Sequence, residues 1–100
     1  MILEVAMLHV RSGKGPAFEA AFAEAQSLIA AMPGYFGHEL QRCLETADKY
    51  VLLVRWRSVE DHEQGFRRSL QYQQWKRLLH HFYEPLPVVE HYELVEPMRG

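Results

Sequence analysis

The stretch YVLLVRWRSVEDH, residues 50–62, places a strand pattern directly before the start of a helix. Residues 50–57 are too continuously apolar to face water on one side, which indicates a strand inside a sheet. Ser58 can accept backbone N–H groups at a helix start, with Asp61 three residues later and Glu60 placed to complement the helix dipole. The stretch therefore predicts a strand that ends near residue 57 and a helix that begins at residue 58.

The segments on either side of this stretch predict the remaining elements. Apolar residues at steps of three and four indicate helices, whereas Gly, Pro and polar clusters indicate loops. The predicted elements are a strand over 2–10, a helix from Pro16 to Pro33-Gly34, a strand over 35–44, a second helical piece capped by Ser69, and a last strand over 88–95. Gly65 and the RRS that follows it interrupt the second helical region, so we expect it to consist of two joined pieces.

The predicted order is βαββαβ. With short connections and right-handed crossovers, this order gives a four-stranded antiparallel sheet, strand order 4-1-3-2, with both helices on one face. We therefore expect a ferredoxin-like α+β sandwich that forms a single domain over residues 1–100.

The first strand, ILEVAMLHV at residues 2–10, has no polar side. Its odd positions 3, 5 and 7 are Leu, Val and Met, and its even positions include Ile, Ala and Leu. An antiparallel sheet with one face in water alternates apolar and polar residues, so a sheet apolar on both faces needs a second cover. The chain offers no third layer, and we therefore expect a two-fold homodimer that pairs sheet against sheet.

Composition and charge argue against several partners. The formal net charge is −2 with scattered basic residues, and strand three offers Val51, Leu53 and Val54 where RNA-binding domains of this element order carry exposed aromatic residues. No nucleic-acid partner is expected.

The apolar stretches are far shorter than the ~18 residues of a membrane span, and residues 1–15 lack the cationic start of a signal peptide. Cys43 is the single cysteine. We expect a cytoplasmic protein without a membrane partner.

Five segments in a fixed order carry a resemblance to a known family. They are VRSGKGPAFEAAFAEA (10–25), MPGYFGHEL (32–40), VLLVRWRSVEDHEQGF (51–66), QYQQW (71–75) and PVVEHYELV (87–95). Over nearly its whole length the chain resembles an antibiotic biosynthesis monooxygenase domain of the dimeric α+β barrel class. The resemblance implies a homodimer whose sheets form a barrel, with a hydrophobic pocket between sheet and helices. It also implies cofactor-free oxidation of aromatic polyketide or quinol-like substrates by molecular oxygen, or haem breakdown, although many relatives have no assigned reaction.

The residues of the haem-degrading branch are not retained. That branch uses an asparagine on strand one, a tryptophan on the second helix and a histidine further along. The corresponding places fall near Ala6, near Gly65 or Phe66, and near Trp75 or Lys76. The resemblance to this branch therefore does not extend to its functional residues.

The anthrone-oxidising branch is matched in part. Its tryptophan falls on Trp56, its asparagine on Leu52 and its tyrosine on His62. His62 could act as a base, and Trp56 could form a pocket wall and an N–H donor, with Tyr72 and Trp75 as substrate contacts. The alternative is structural: a partly exposed histidine at a helix start, a core tryptophan under the second helix, and aromatic side chains that only pack.

Glu4 is the remaining polar candidate, because its position on a central strand predicts a buried carboxylate that needs a partner. Arg42, His38 or Arg55 could supply that partner. The two interpretations are a structural ion pair and a group that orients a ligand hydroxyl.

No metal or cofactor is expected. The chain has six histidines, but His80 and His81 are adjacent and diverge on a helix, and no pair has the four-residue helical spacing of zinc sites. The sequence favours a cofactor-independent monooxygenase of a small aromatic or quinone-like metabolite. The alternative is a non-catalytic homodimeric module that binds a small hydrophobic ligand.

Overall fold

A computed structural model describes residues 1–98 of the chain. Its elements follow the predicted βαββαβ order. They are β1 (Ile2–His9), α1 (Gly15–Ala30), β2 (Tyr35–Arg42), β3 (Lys49–Trp56), a π-helical turn (Asp61–Phe66), α2 (Leu70–Leu79), a 3-10 turn (His80–Phe82) and β4 (Val89–Tyr92).

The four strands form one antiparallel sheet in the order β2-β3-β1-β4. This is the predicted 4-1-3-2 order counted from the opposite edge, so the expected ferredoxin-like α+β fold is confirmed. β1 and β3 are the central strands, with Val5 opposite Leu53 and Glu4 opposite Val54. Even-numbered residues of both strands lie in the hydrophobic core, which places both helices over that face.

The first helix buries the predicted apolar stripe. Phe18, Phe22, Ala25 and Ile29 lie at steps of three and four and are 5% exposed or less. Gly34 follows the helix with a φ of 82°, a conformation that glycine adopts without the steric cost of a Cβ.

The second helical region has the two pieces that the sequence predicts. Ser58 Oγ accepts the backbone N–H of Asp61 at 3.2 Å, and Ser69 Oγ accepts that of Tyr72 at 3.1 Å, so each serine caps one piece. The first piece includes a π-helical turn, whose buried residues are His62 and Phe66. This turn brings a histidine against the sheet.

The last strand is shorter than the predicted 88–95. β4 pairs with β1 in the register Tyr92 to Leu3, and β1 begins at Ile2. The ladder runs from Tyr92 opposite Leu3 to Val89 opposite Ala6, which is half of the predicted length. Among the described residues 1–98, no helix has the length and apolar character needed to cross a membrane.

Candidate functional site

A small cavity lies between the inner face of the sheet and the second helical region. Its volume is about 50 Å³, which is room for a few water molecules. Its lining combines apolar side chains with a few polar ones: Glu4, Ala6, Leu8, Ile29, Leu52, His62, Phe66, Arg67, Tyr72, Trp75, His80, Tyr83, Pro87 and Val89. The polar groups on one wall make this cavity the candidate site.

Glu4 is the acidic group of the cavity and is only 5% exposed. Its position on β1 turns its side chain towards the helices together with Ala6 and Leu8. Trp56 Nε1 donates to Glu4 Oε1 at 2.9 Å, and His62 Nε2 lies 3.3 Å from the same oxygen. The carboxyl group is thus held by two rings from two other elements.

The partners predicted for Glu4 were wrong. Arg42 pairs with Glu19 at 2.7 Å, and His38 hydrogen-bonds Tyr35 and Gln26. Both basic side chains line an open groove of about 500 Å³ between α1 and β2, apart from the cavity. Arg55 lies opposite Leu3 in the ladder and is exposed on the outer face of the sheet.

His62 is 2% exposed, so the alternative of a partly exposed histidine at a helix start is wrong. The π-helical turn brings the imidazole over the sheet, where it stacks on Trp56 with ring centroids 5.4 Å apart. Its Nε2 faces Glu4 and its Nδ1 lies 2.8 Å from Nε2 of His91 on β4. His62 therefore joins a cavity carboxyl group to a histidine on the edge strand.

Burial shifts the two groups towards their neutral forms. It raises the pKa of Glu4 to about 7, against the opposing effects of the Trp56 hydrogen bond and the Arg67 charge. It lowers the pKa of His62 to about 3, assisted by Arg67 and His91. The contact has the distance of an ion pair, but desolvation favours a neutral carboxylic acid beside a neutral imidazole.

These opposite shifts predict how stability depends on pH. Glu4 has a higher pKa in the folded chain, so its contribution is full below its ordinary 4.5 and is lost as the pH rises to about 7. His62 has a lower pKa in the folded chain, so its contribution is full above its ordinary 6.5 and is lost as the pH falls towards 3. Between pH 4.5 and 6.5 the two contributions to the slope cancel. In the folded chain Glu4 holds one proton and His62 holds none, whereas in the unfolded chain His62 holds one proton and Glu4 holds none.

Single substitutions should separate the two slopes. In Glu4→Gln the His62 effect remains, so the free energy of unfolding of this variant should fall by up to about 1.4 kcal/mol per pH unit as the pH falls below 6.5, whereas in wild type the two groups together give no slope down to pH 4.5. In His62→Gln the Glu4 effect remains, and stability should fall by a similar slope as the pH rises from 4.5 to 7. Urea unfolding at a series of pH values measures both, and parallel curves for wild type and both variants would contradict the assignment.

Trp56, Tyr72 and Trp75 have different relations to the cavity. Trp56 has no solvent exposure and lies outside the lining, so it contacts Glu4 and His62 but does not form the expected wall. Tyr72 and Trp75 both line the cavity and pack on Phe66, with ring centroids 5.2 and 5.5 Å away. Four of the five candidate residues thus line one cavity, and the fifth supports two of them.

Arg67 and His91 belong to the site but were not singled out from the sequence. Arg67 is half-buried in the cavity lining, and its guanidinium makes no hydrogen bond or ion pair within the described part of the chain. His91 shares the inward face of β4 with Val89, so the alternation in VVEHYELV could have identified it. No local pattern marks Arg67, because its place depends on how the π-helical turn ends.

Within residues 1–98, no three His, Cys, Asp or Glu side chains come together in a way that could hold a metal ion. Among the residues that the structure describes, the cavity lining offers acid–base groups and one cation, Arg67, beside an apolar space.

Comparisons with known proteins agree with this architecture. The chain is 50% identical over 93 residues to protein YczJ of Bacillus subtilis (strain 168), which covers 93% of this chain and 98% of that one. A Bordetella bronchiseptica protein, provisionally described as an antibiotic biosynthesis monooxygenase, has a solved structure with a TM-score of 0.91 and 34% identity over 95% and 97% of the two chains. The structure of SnoaB, a cofactor-independent oxygenase from Streptomyces nogalater, has a TM-score of 0.73 and 20% identity over 98% and 94%.

A family model for antibiotic biosynthesis monooxygenases matches residues 1–78, which include the first three strands, α1 and the residues of the cavity up to Trp75. This match covers more than half of the chain, and the fold of the relatives is the fold found here. The chain therefore belongs to the antibiotic biosynthesis monooxygenase family.

Proposed function

We propose that the protein is a cofactor-independent monooxygenase that oxidises a small phenolic or quinol-like aromatic compound with molecular oxygen. The family and the fold shared with SnoaB support an oxygenase. The observation that carries the proposal is the buried carboxyl group of Glu4, held by His62 and Trp56 at the wall of a cavity. The lining of this cavity also includes Arg67, a cation without a hydrogen bond or ion pair to the residues that the structure describes.

Glu4 is the proposed base. A substrate reacts with oxygen without a cofactor only when it becomes an electron-rich anion, so the site must remove one proton. General bases work best with a pKa near the operating pH, and burial raises the pKa of Glu4 to about 7. The pKa of His62, lowered to about 3 by burial, makes it a weak base. His62 is therefore proposed to hold and exchange the proton of Glu4.

Arg67 is the proposed partner of the substrate anion. An unpaired guanidinium beside an apolar cavity stabilises negative charge that develops on an oxygen there, because few water molecules screen it. For a phenol or quinol whose keto tautomer presents a ring CH₂ group, the reaction removes one proton and adds O₂ and a proton to give a hydroperoxide. Loss of water then leaves a carbonyl group, so that R₂CH₂ + O₂ yields R₂C=O + H₂O without an external reductant.

Binding must enlarge the cavity, since about 50 Å³ does not accommodate an aromatic ring system. Tyr72 and Arg67 are lining residues that remain half-buried rather than fully packed, so their side chains are the ones proposed to move. Tyr72 and Trp75 would then contact the two faces or edges of an aromatic substrate.

The proposed active form is a homodimer that joins the outer faces of two sheets. The centre of that face is apolar, with Val5, Val51 and Leu53 half-buried and Met7 38% exposed in the single chain. Exposed apolar patches of this kind mark interaction surfaces, and a second copy covers both patches with one symmetric interface.

Oxygen uptake with 1,4-dihydroxynaphthalene and anthrone as probes tests the proposal. Each probe should consume oxygen faster with wild-type protein than in buffer without protein. Glu4→Gln should lower this enzyme-dependent rate by about 10²–10⁴-fold, the usual contribution of a general base. His62→Ala should also lower the rate, because it removes a side chain that contacts Glu4.

The matched control is Glu24→Gln, which changes an exposed carboxylate on α1 that does not line the cavity. Its rate should equal that of wild type. If no probe gives enzyme-dependent uptake, or if Glu4→Gln retains the full rate, the oxygenase proposal fails. The small volume of the cavity would then favour a non-catalytic dimeric module, which would bind these aromatic probes without turnover.

A further inference from the structure

His91 is a histidine that the proposed reaction does not yet use. It lies on β4 directly opposite Glu4 of β1, so both side chains are on the inner face of the sheet. Its Nε2 is 2.8 Å from Nδ1 of His62, whose other nitrogen faces Glu4. His91 is half-buried on an edge strand, whereas Glu4 and His62 are buried. The three groups thus form a continuous line from the cavity to the protein surface.

The short distance between the two histidines requires one hydrogen atom between their ring nitrogens. Two imidazole nitrogens 2.8 Å apart form a hydrogen bond only if one carries a hydrogen and the other does not. The contact between Glu4 Oε1 and Nε2 of His62 is longer, at 3.3 Å, and must shorten to carry a proton. When a protonated Glu4 donates across it to Nε2 of His62, Nδ1 of His62 donates to His91. When an ionised Glu4 accepts across it from Nε2 of His62, Nδ1 of His62 accepts from His91.

We propose that Glu4, His62 and His91 form a proton relay through which the cavity carboxyl group exchanges its proton with the solvent at the edge of the sheet. This inference rests on the proposed function, in which Glu4 is the base. His91 is a positioning and relay residue that does not contact the substrate. A relay of this kind lets the base be reset while the substrate and the apolar lining keep water out of the cavity.

Each step conserves protons. The Glu4 hydroxyl hydrogen moves to Nε2 of His62, the hydrogen on Nδ1 of His62 moves to Nε2 of His91, and the hydrogen on Nδ1 of His91 moves to water. Glu4 becomes a carboxylate, both imidazoles remain neutral in their other tautomer, and one proton has reached the solvent. The reverse sequence restores the first state, and no bond other than those to hydrogen is formed or broken.

The surroundings of His62 favour a relay that avoids a charged imidazole. Burial, and to a lesser degree Arg67 and His91, disfavour the imidazolium form, which lowers the pKa of His62 to about 3. The proton therefore passes through His62 without being stored there. The titratable or charged side chains that face this region are Glu4 from β1, His91 from β4, Arg67 after the π-helical turn, Tyr72 and His80 from the second helical region, and Tyr83 before β4.

Nuclear magnetic resonance of the substrate-free protein tests the relay without any turnover. Nitrogen-15 shifts separate protonated from unprotonated ring nitrogens, and a coupling between Nδ1 of His62 and Nε2 of His91 reports their shared hydrogen. As the pH rises through about 7, where Glu4 ionises, both rings should change tautomer together. Glu4→Gln should abolish this joint change. Absence of the coupling, or an unchanged joint transition in Glu4→Gln, would overturn the relay.

Kinetics with a probe that turns over give the second test. His91→Ala should lower kcat about tenfold or more with little change in KM, and added imidazole should restore part of the lost rate. The control is His81→Ala, which removes an exposed histidine outside the cavity lining and should change neither parameter. A full rate in His91→Ala would refute the relay while leaving Glu4 as the base. Lack of turnover by wild type would refute the proposed function, and the resonance test would still decide the relay.

Discussion

Replacing Trp56 with alanine is expected to lower the free energy of unfolding by about 3–5 kcal/mol, the usual range for a large aromatic residue removed from a core. Trp56 has no solvent exposure and contacts Tyr35, His62 and Phe66 with ring centroids 5.4–6.2 Å away. The substitution also removes the N–H donor of Glu4, a buried group that is costly to leave without its partner. Urea unfolding at pH 6 measures the loss.

Trp56→Phe separates packing from hydrogen bonding. The phenyl ring keeps most of the contacts with His62 and Phe66 but cannot donate to Glu4, so we expect a loss of about 1–3 kcal/mol, the cost of an unsatisfied buried group. The pKa of Glu4 should also rise further, because the Trp56 hydrogen bond lowers it. If Trp56→Ala were within about 1 kcal/mol of wild type, Trp56 would not be the residue that joins the core to the site.

The parts of the fold that follow from local pattern were predictable from the sequence. Ser58 and Ser69 precede apolar periodic segments, and each caps its helical piece because a cap depends only on residues three positions away. The apolar stripe from Phe18 to Ile29 identified the buried face of α1 for the same reason. The strand order followed from connection lengths, which limit a βαββαβ chain to few arrangements.

The site was less predictable, because its contacts join residues that are far apart in sequence. The Trp56 hydrogen bond to Glu4 spans 52 positions, and only the register of β1 and β3 brings the two together. His62 lies four residues after Ser58, where the structural alternative was a partly exposed histidine, but it is buried in a π-helical turn that no local pattern predicted. The choice of Arg42, His38 or Arg55 as a partner for Glu4 failed because charge complementarity alone does not tell which face or strand a side chain occupies.

The outer face of the sheet has the arrangement of an interface. Its centre is formed by apolar residues of β1 and β3, with Val5 opposite Leu53 and Met7 opposite Val51. Polar residues surround this centre at the neighbouring ladder positions: His9, Glu39, Gln41, Lys49, Arg55 and Glu90. An apolar centre with a polar rim is typical of surfaces that bind a partner with a specific geometry. Because both halves of a two-fold interface are the same patch, one substitution changes it twice.

Leu53→Lys is therefore expected to dissociate the proposed dimer. The substitution places one ammonium group from each subunit in the middle of an apolar interface, and an unpaired buried charge costs several kcal/mol. We expect the dimer dissociation constant to rise at least about 10³-fold, which corresponds to about 4 kcal/mol. Analytical ultracentrifugation over a micromolar concentration series measures it, and Gln73→Lys, which adds the same charge on the exposed side of α2, should leave the dimer intact. A wild-type monomer at these concentrations, or equal dissociation constants for Leu53→Lys and wild type, would place the partner of this face elsewhere and remove the dimer from the proposed function.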